Sequence, residues 1–241
     1  MKMMIGELRI YAAAGVKKPI TELAAEFEMS SGSRIAPVFD TAGAVEQLFL
    51  ADAGAALLIT SQARITAAEK TGTLTGGITE IVGDTVGGFA MPPGQAKPDI
   101  SSPEKLKTAL LAAPRIAFSD PARGATIGSH FLEVIDRLGI REETVKKSTL
   151  AKDGVETMRL ILTGEADLGV TQISEIIQAN PAALVGPFPG PFDLATTYSL
   201  WYREDAAAEA KAFVRIVTGQ SGLASFQRHG LRPFDPQRNT P

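Results

Sequence analysis

The chain has 241 residues, 44% of them apolar, enough to bury the core of one large domain or two smaller ones. A net charge of −3, with no block of lysine and arginine, argues against a nucleic-acid or polybasic membrane role. The lack of cysteine excludes disulfides, thiolate metal sites and cysteine nucleophiles.

Met1 to Ile10 carries Lys2, Glu7 and Arg9, so it lacks the roughly 7–15-residue apolar run of a secretory signal. No stretch approaches the ~20 apolar residues of a membrane span. The chain as written is expected to be cytoplasmic, or periplasmic if a leader has been removed, and not inserted in a membrane. Leu8–Ala12 is the first β-rich run. After it, Ile20, Leu23, Ala24 and Phe27 fall on one helical face at i, i+3, i+4, i+7. Arg34–Phe39 predicts a strand, then a helix with Val45, Leu48 and Phe49 inward, and Ala55–Thr60 predicts a parallel strand covered on both faces.

After Gly83 the pattern restarts. Val86–Met91 predicts a strand ending at Pro92-Pro93, and a loop leads to a helix with Ser102 as N-cap and Pro103 at its first position. Arg115–Phe118 predicts a strand, followed by a helix that turns Ile127, Phe131, Val134, Ile135 and Leu138 inward. A strand near Lys147–Leu150, the helix Gly154–Leu162, the strand Leu168–Thr171 and a short helix from Ser174 come next. GPFPGPF (Gly186–Phe192) breaks the pattern before the strand Thr196–Tyr202, and helices Ala206–Val217 and Ser221–His229 close the chain.

This alternation predicts an α/β fold with parallel sheets. Two runs of β/α units and a late return strand imply two doubly wound lobes, residues 1–85 plus 196–241 and residues 86–195. Such sheets bind ligands beyond the carboxyl ends of their strands, here expected to face a cleft between the lobes.

Five strand-to-helix junctions are rich in small and hydroxyl residues: Ala12–Gly15, Asp40–Gly43, Thr60–Gln62, Ser119–Thr126 and Val170–Ser174. Backbone N–H groups at a helix start attract anions, and small residues allow close approach. The candidate ligand residues are therefore Ala14, Gly15, Thr41, Ala42, Ser61, Thr126, Thr171 and Gln172. The plainer reading of each is a cap or a tight turn. Arg64 and Arg123 are candidates to fork a carboxylate, against the alternative of a solvated charge. Lys17 and Lys18 oppose the dipole of the helix they start, so they are ordinary exposed residues or are kept for an anion. With only His130 and His229, a metal site is not expected, and no cofactor is called for.

The run LRIYAAAGVKKPITELAAEFE resembles the opening of the periplasmic molybdate-binding proteins of the type 2 solute-binding superfamily, where Ala-Ala-Ala-Ser leads into an amphipathic helix. FDTAGAVEQLFLADAGAALLITS is similar to their Phe-Gly-Ser-Ser-Gly block, and TGEADLGVTQISE to their Gly-Glu-Ala-Asp-Ala-Gly-Ile block. The resemblance implies the two-lobed fold, a small anionic ligand and, if the chain is exported, the membrane component of an ABC transporter as partner. It also places Tyr198 where members can hold a ligand-contacting tyrosine, with core packing the alternative.

Gly15 stands where the family has a serine, and Asp40-Thr41-Ala42 replaces Gly-Ser-Ser, adding a negative charge beside an anion site. These departures argue against molybdate. Gly15 is expected to make room for a bulkier organic anion, most readily a carboxylate. Aconitate isomerase resembles the same family, which implies an alternative: a cofactor-independent 1,3-proton shift in an unsaturated tricarboxylate, with Lys17 as candidate base. A cytoplasmic ligand sensor is a third reading, without a visible DNA-binding segment.

Overall fold

The computed structural model describes residues 7–234; Lys2 and the rest of the extreme N-terminus lie outside the described residues. In chain order the strands are β1 (Leu8–Ala13), β2 (Ile35–Asp40), β3 (Ala55–Ser61), β4 (Gly77–Ala90), β5 (Ile116–Ser119), β6 (Ser148–Ala151), β7 (Leu168–Gln172), β8 (Leu184–Pro187) and β9 (Ala195–Arg203). The helices are α1 (Lys17–Ser31), α2 (Ala42–Ala51), α3 (Gln62–Lys70), α4 (Pro103–Ala112), α5 (Thr126–Arg137), α6 (Arg141–Lys146), α7 (Gly154–Leu162), α8 (Ile173–Ala179), α9 (Ala208–Thr218) and α10 (Gln220–Arg228). The chain divides into two compact units, one running to Asp84 and resuming at Thr197, the other spanning Thr85–Thr196.

In the first unit β2, β1 and β3 lie parallel in that order, and β9 joins β3 antiparallel. β3 thus has one parallel and one antiparallel neighbour. The apolar stripe of α1 buries Ile20, Leu23 and Phe27, the last with its ring 5.5 Å from that of Phe213 on α9. α1 stops at Gly32, whose positive φ of 73° lets its N–H return to the Glu28 carbonyl. On the opposite face of the sheet Tyr11, Val45, Phe49, Leu58, Ile65 and Trp201 form a second apolar layer. Leu48, expected to point inward, is 42% exposed because the buried stripe of α2 is Ala42, Val45 and Phe49.

In the second unit β5 pairs parallel with β6 and β7, while β4 pairs antiparallel with β7 and β8. Its core is aromatic. Phe131 of α5 lies edge-on to Phe118 at 5.1 Å and to Phe89 at 6.5 Å, and Phe188 tilts against Phe89 at 4.6 Å. Ser102 caps α4 by accepting from the Lys105 N–H, with Pro103 behind it, as the sequence predicts.

The restart expected at Gly83 is instead the middle of one 14-residue strand, β4. Gly83 carries the ladder through with φ of 152°, and a β-carbon there would meet the Arg232 carbonyl oxygen at 2.7 Å. Two elements have no counterpart in the sequence reading. α6 buries only Thr144 and so shows no apolar period, and β8 is four residues ending in Gly-Pro.

Candidate functional site

In the first unit the register brings the three parallel strand ends together. Ala13 pairs with Asp40, Ala12 with Ile59, and Ser61 with Tyr198 of β9. The junctions after β1, β2 and β3 therefore share one edge of the sheet, where Tyr198 also lies. After β1 the chain makes a buried 3-10 turn, Ala14–Val16, before α1 begins at Lys17. A β-carbon on Gly15 would lie 2.4 Å from the Tyr198 hydroxyl oxygen and 2.8 Å from its Cζ. This corrects the expectation that Gly15 opens space for a ligand: the space is filled by the phenol of Tyr198, which is itself buried in the core.

At the second junction Asp40 Oδ1 accepts from the Thr41 N–H at 2.8 Å, and both residues are buried. Thr41 Oγ1 caps α2 by accepting from the Ala44 N–H at 3.2 Å. The neighbouring junction touches this one, since Thr60 Oγ1 donates to the Ala42 carbonyl at 2.9 Å. Ser61 is buried at the start of α3 and does not cap it with its side chain. The Ser199 hydroxyl donates to Gln62 Oε1. Arg64 on α3 pairs with Glu46 of α2 at 2.8 Å, so part of its fork is engaged within this unit. Lys17 is exposed, with its Nζ 5.9 Å from the centroid of the Phe39 ring.

In the second unit the ends of β5, β6 and β7 share an edge in the same way, with Ser119 opposite Ala151 and Phe118 opposite Val170. Asp120 closes the turn Pro121–Arg123 by accepting from the Ala122 N–H at 2.9 Å. Arg123 Nε donates to the Lys152 carbonyl at 3.0 Å, which holds its turn against the loop before α7. Gly124, with φ of 74°, then reverses the chain into α5, where Thr126 is the first residue and half-buried.

At the end of β7 the Thr171 hydroxyl donates to Glu175, and Glu175 Oε2 also accepts from the Gln172 N–H at 3.1 Å. The Gln172 side chain donates from Nε2 to Thr196 Oγ1 at 3.0 Å. Burial pushes the Glu175 carboxyl up to about 7; hydrogen bonds from Thr171 and the Gln172 N–H oppose the rise, and the Asp153 charge adds to it. The reading of the sequence missed Glu175. Its signal was present: a polar residue at the helix start followed three positions later by glutamate is the capping-box spacing.

Within each unit the junction candidates thus converge on one sheet edge, where Thr41, Arg64, Arg123, Thr171 and Gln172 each also hold a contact within their own unit. Both histidines are engaged elsewhere, His130 Nε2 with the Phe192 carbonyl and His229 Nε2 with Glu22, each at 2.7 Å. Among the described residues no group of three or more His, Asp or Glu side chains is placed to hold a metal. Chemically, the junctions offer backbone N–H groups, hydroxyls, an amide and a guanidinium, a set suited to holding an anion.

Residues 8–232 match a family described as bacterial extracellular solute-binding protein. Among curated proteins the chain is 23% identical to the aconitate isomerase of a Pseudomonas species, over 95% of this chain and 89% of the relative. Among solved structures, the periplasmic molybdate-binding protein of Azotobacter vinelandii superposes with a TM-score of 0.75 at 18% identity, over 95% of this chain and all of that one. A protein described as a phosphate ABC transporter substrate-binding protein from Clostridium perfringens, with phosphate bound, gives 0.71 at 12% identity, over 95% of this chain and all of that one. At these identities the two solved structures establish the fold.

Proposed function

The chain belongs to the bacterial extracellular solute-binding protein family, and from that premise we propose that it binds a small organic anion, most readily a carboxylate, for delivery to an ABC transporter. The observation that carries the organic reading is Asp40. Its carboxylate already takes the Thr41 N–H at the second junction, a donor that a compact oxyanion would need. A compact oxyanion at that junction would compete with Asp40 for the Thr41 N–H and would meet a like charge beside it. A longer organic acid can place its carboxylates away from Asp40 and present a hydroxyl or a C–H there instead.

In this reading the backbone of Ala14 and Gly15, Thr41, Ala42 and Ser61 contribute from the first unit, with Tyr198 supplying the wall behind Gly15. Arg123, Thr126, Thr171 and Gln172 contribute from the second. Arg123 is the residue we assign to a ligand carboxylate, because a guanidinium binds it through two parallel bonds. Lys17 adds positive charge at the first-unit edge, and Arg64 would offer the part of its guanidinium that Glu46 does not hold. The work of a transporter-coupled binding protein places the chain outside the cytoplasmic membrane; no helix among the described residues is long and apolar enough to cross one.

The test is a thermal-shift screen with molybdate, sulfate, phosphate, citrate, the aconitates and dicarboxylates, since a ligand that binds the folded form raises its melting point. Stabilisation by carboxylates and not by molybdate supports the reading. A second reading, isomerisation of an unsaturated tricarboxylate, is favoured by the aconitate isomerase relative, which aligns with 95% of the chain. There Lys17, exposed at the start of α1, would carry the proton. Proton NMR of cis-aconitate incubated with the protein tests it: conversion abolished by Lys17→Ala supports turnover, and an unchanged spectrum removes it.

A further inference from the structure

A carboxyl group lies directly behind the β7–α8 junction. Glu175 folds back over the turn to take the Thr171 hydroxyl and the Gln172 N–H. It also lies flat against Gly154, the first residue of α7, where a β-carbon would come within 2.0–2.4 Å of all three carboxyl atoms. The same turn is bonded to both ends of its unit's chain segment. Gln172 donates to Thr196, and the Ser174 N–H donates to Thr85 Oγ1 at 3.2 Å. Ser174 Oγ is buried without a hydrogen-bond partner, so the turn retains a hydroxyl donor that its own contacts do not use.

The charges around Glu175 are few. β7, β8 and the 3-10 turn Pro181–Ala183 carry no ionisable side chain, and α8 has only Glu175 itself. On α7, Glu156 and Arg159 pair with each other at 2.9 Å near the surface. Asp153, which caps α7 by accepting from the Glu156 N–H at 2.8 Å, acts on Glu175 with like sign. Burial and Asp153 therefore both favour the protonated carboxyl, whose pKa of about 7 allows it to change state near neutral pH.

We infer that Glu175 is a positioning residue that couples anion binding at the β7–α8 junction to the uptake of one proton. The inference rests on the proposed reading that Thr171 and Gln172 serve an anion. Ionised, Glu175 sets a negative charge behind those donors and holds the Thr171 hydroxyl as a hydrogen-bond donor to itself. Protonated by a proton from bulk water, it carries no charge and donates its own O–H to Thr171 Oγ1, which frees the threonine hydroxyl to donate to the ligand. An arriving anion favours the protonated form, so by linkage affinity falls as pH rises.

Calorimetry with fumarate and with trans-aconitate, in buffers of different ionisation enthalpy, tests this. The wild type takes up a fraction of a proton per anion at neutral pH, and its affinity falls by up to about tenfold per pH unit above the Glu175 transition. Glu175→Gln, close in shape and uncharged, binds the same probe with no linked proton and a flat profile. Binding without proton uptake, or an equal pH profile in the variant, overturns the inference. If neither probe binds, the functional reading fails, and the coupling is tested without ligand: the Glu175 carboxyl and the Gln172 amide must titrate together near neutral pH by NMR. A Glu175 that titrates in the ordinary carboxylate range overturns it. The wild-type measurements decide even where the variant does not fold.

Discussion

Each unit sets a carboxyl against a backbone N–H at a strand-to-helix junction, Asp40 on Thr41 at 2.8 Å and Glu175 on Gln172 at 3.1 Å, and the two settings differ in kind. In the first unit Thr41, beside Asp40, caps its own helix, and Thr60 holds the adjacent Ala42. In the second, the turn holding Glu175 reaches along the chain to Thr85 and Thr196. The first junction is a fixed wall. The second ties a titratable group to Thr85 and Thr196, the two ends of its unit's chain segment; under the proposal above, pH and ligand would act on the same turn.

The largest effect expected from this contrast is on stability against pH. The Glu175 pKa is raised in the folded chain, so its contribution is fully present below the unfolded value, near 4.5, and is lost as pH rises through about 7. The loss amounts to about 3 kcal/mol in the limit of a dry site. Urea melts at acid and alkaline pH measure it, and Glu175→Gln flattens the profile; an equal slope in the variant would assign the pH dependence to other groups.

Gly15→Ser sharpens the account of the fixed wall. Its side chain enters space held by Tyr198, so we expect a loss of about 1–3 kcal/mol from overpacking. Adding Tyr198→Leu recovers part of this loss, and a double-mutant cycle reads the coupling; additive effects would mean that the two positions do not share that space. Thr41→Ala removes the α2 cap and costs about 1 kcal/mol, with no change in pH profile. The smallest effect is at Lys17, where replacing Phe39 by Leu removes an exposed cation–π contact worth about 0.5–1 kcal/mol. Chemical melts resolve both, and a larger loss at Phe39 would point to packing that the exposed contact does not explain.

Much of the fold was legible because period and punctuation agree locally: Ile20, Leu23 and Phe27 mark the inner face of α1, and Ser102-Pro103 marks where α4 starts. The junctions were legible as small and hydroxyl residues at strand ends. Their partners were not, since a sequence read locally does not bring Tyr198 to Gly15, or Glu46 to Arg64. The sense of Gly15 reversed for that reason: a missing side chain means room only if nothing else fills it. α6, with no buried apolar stripe, had no period to read.

The central claim, binding of a small organic anion, is tested most directly by titrating citrate, trans-aconitate, a dicarboxylate and molybdate into the purified protein while following its melting point. The account predicts that a carboxylate stabilises the fold, by about 2.7 kcal/mol at one hundred times its dissociation constant, and that molybdate does not. Stabilisation by molybdate alone would contradict it.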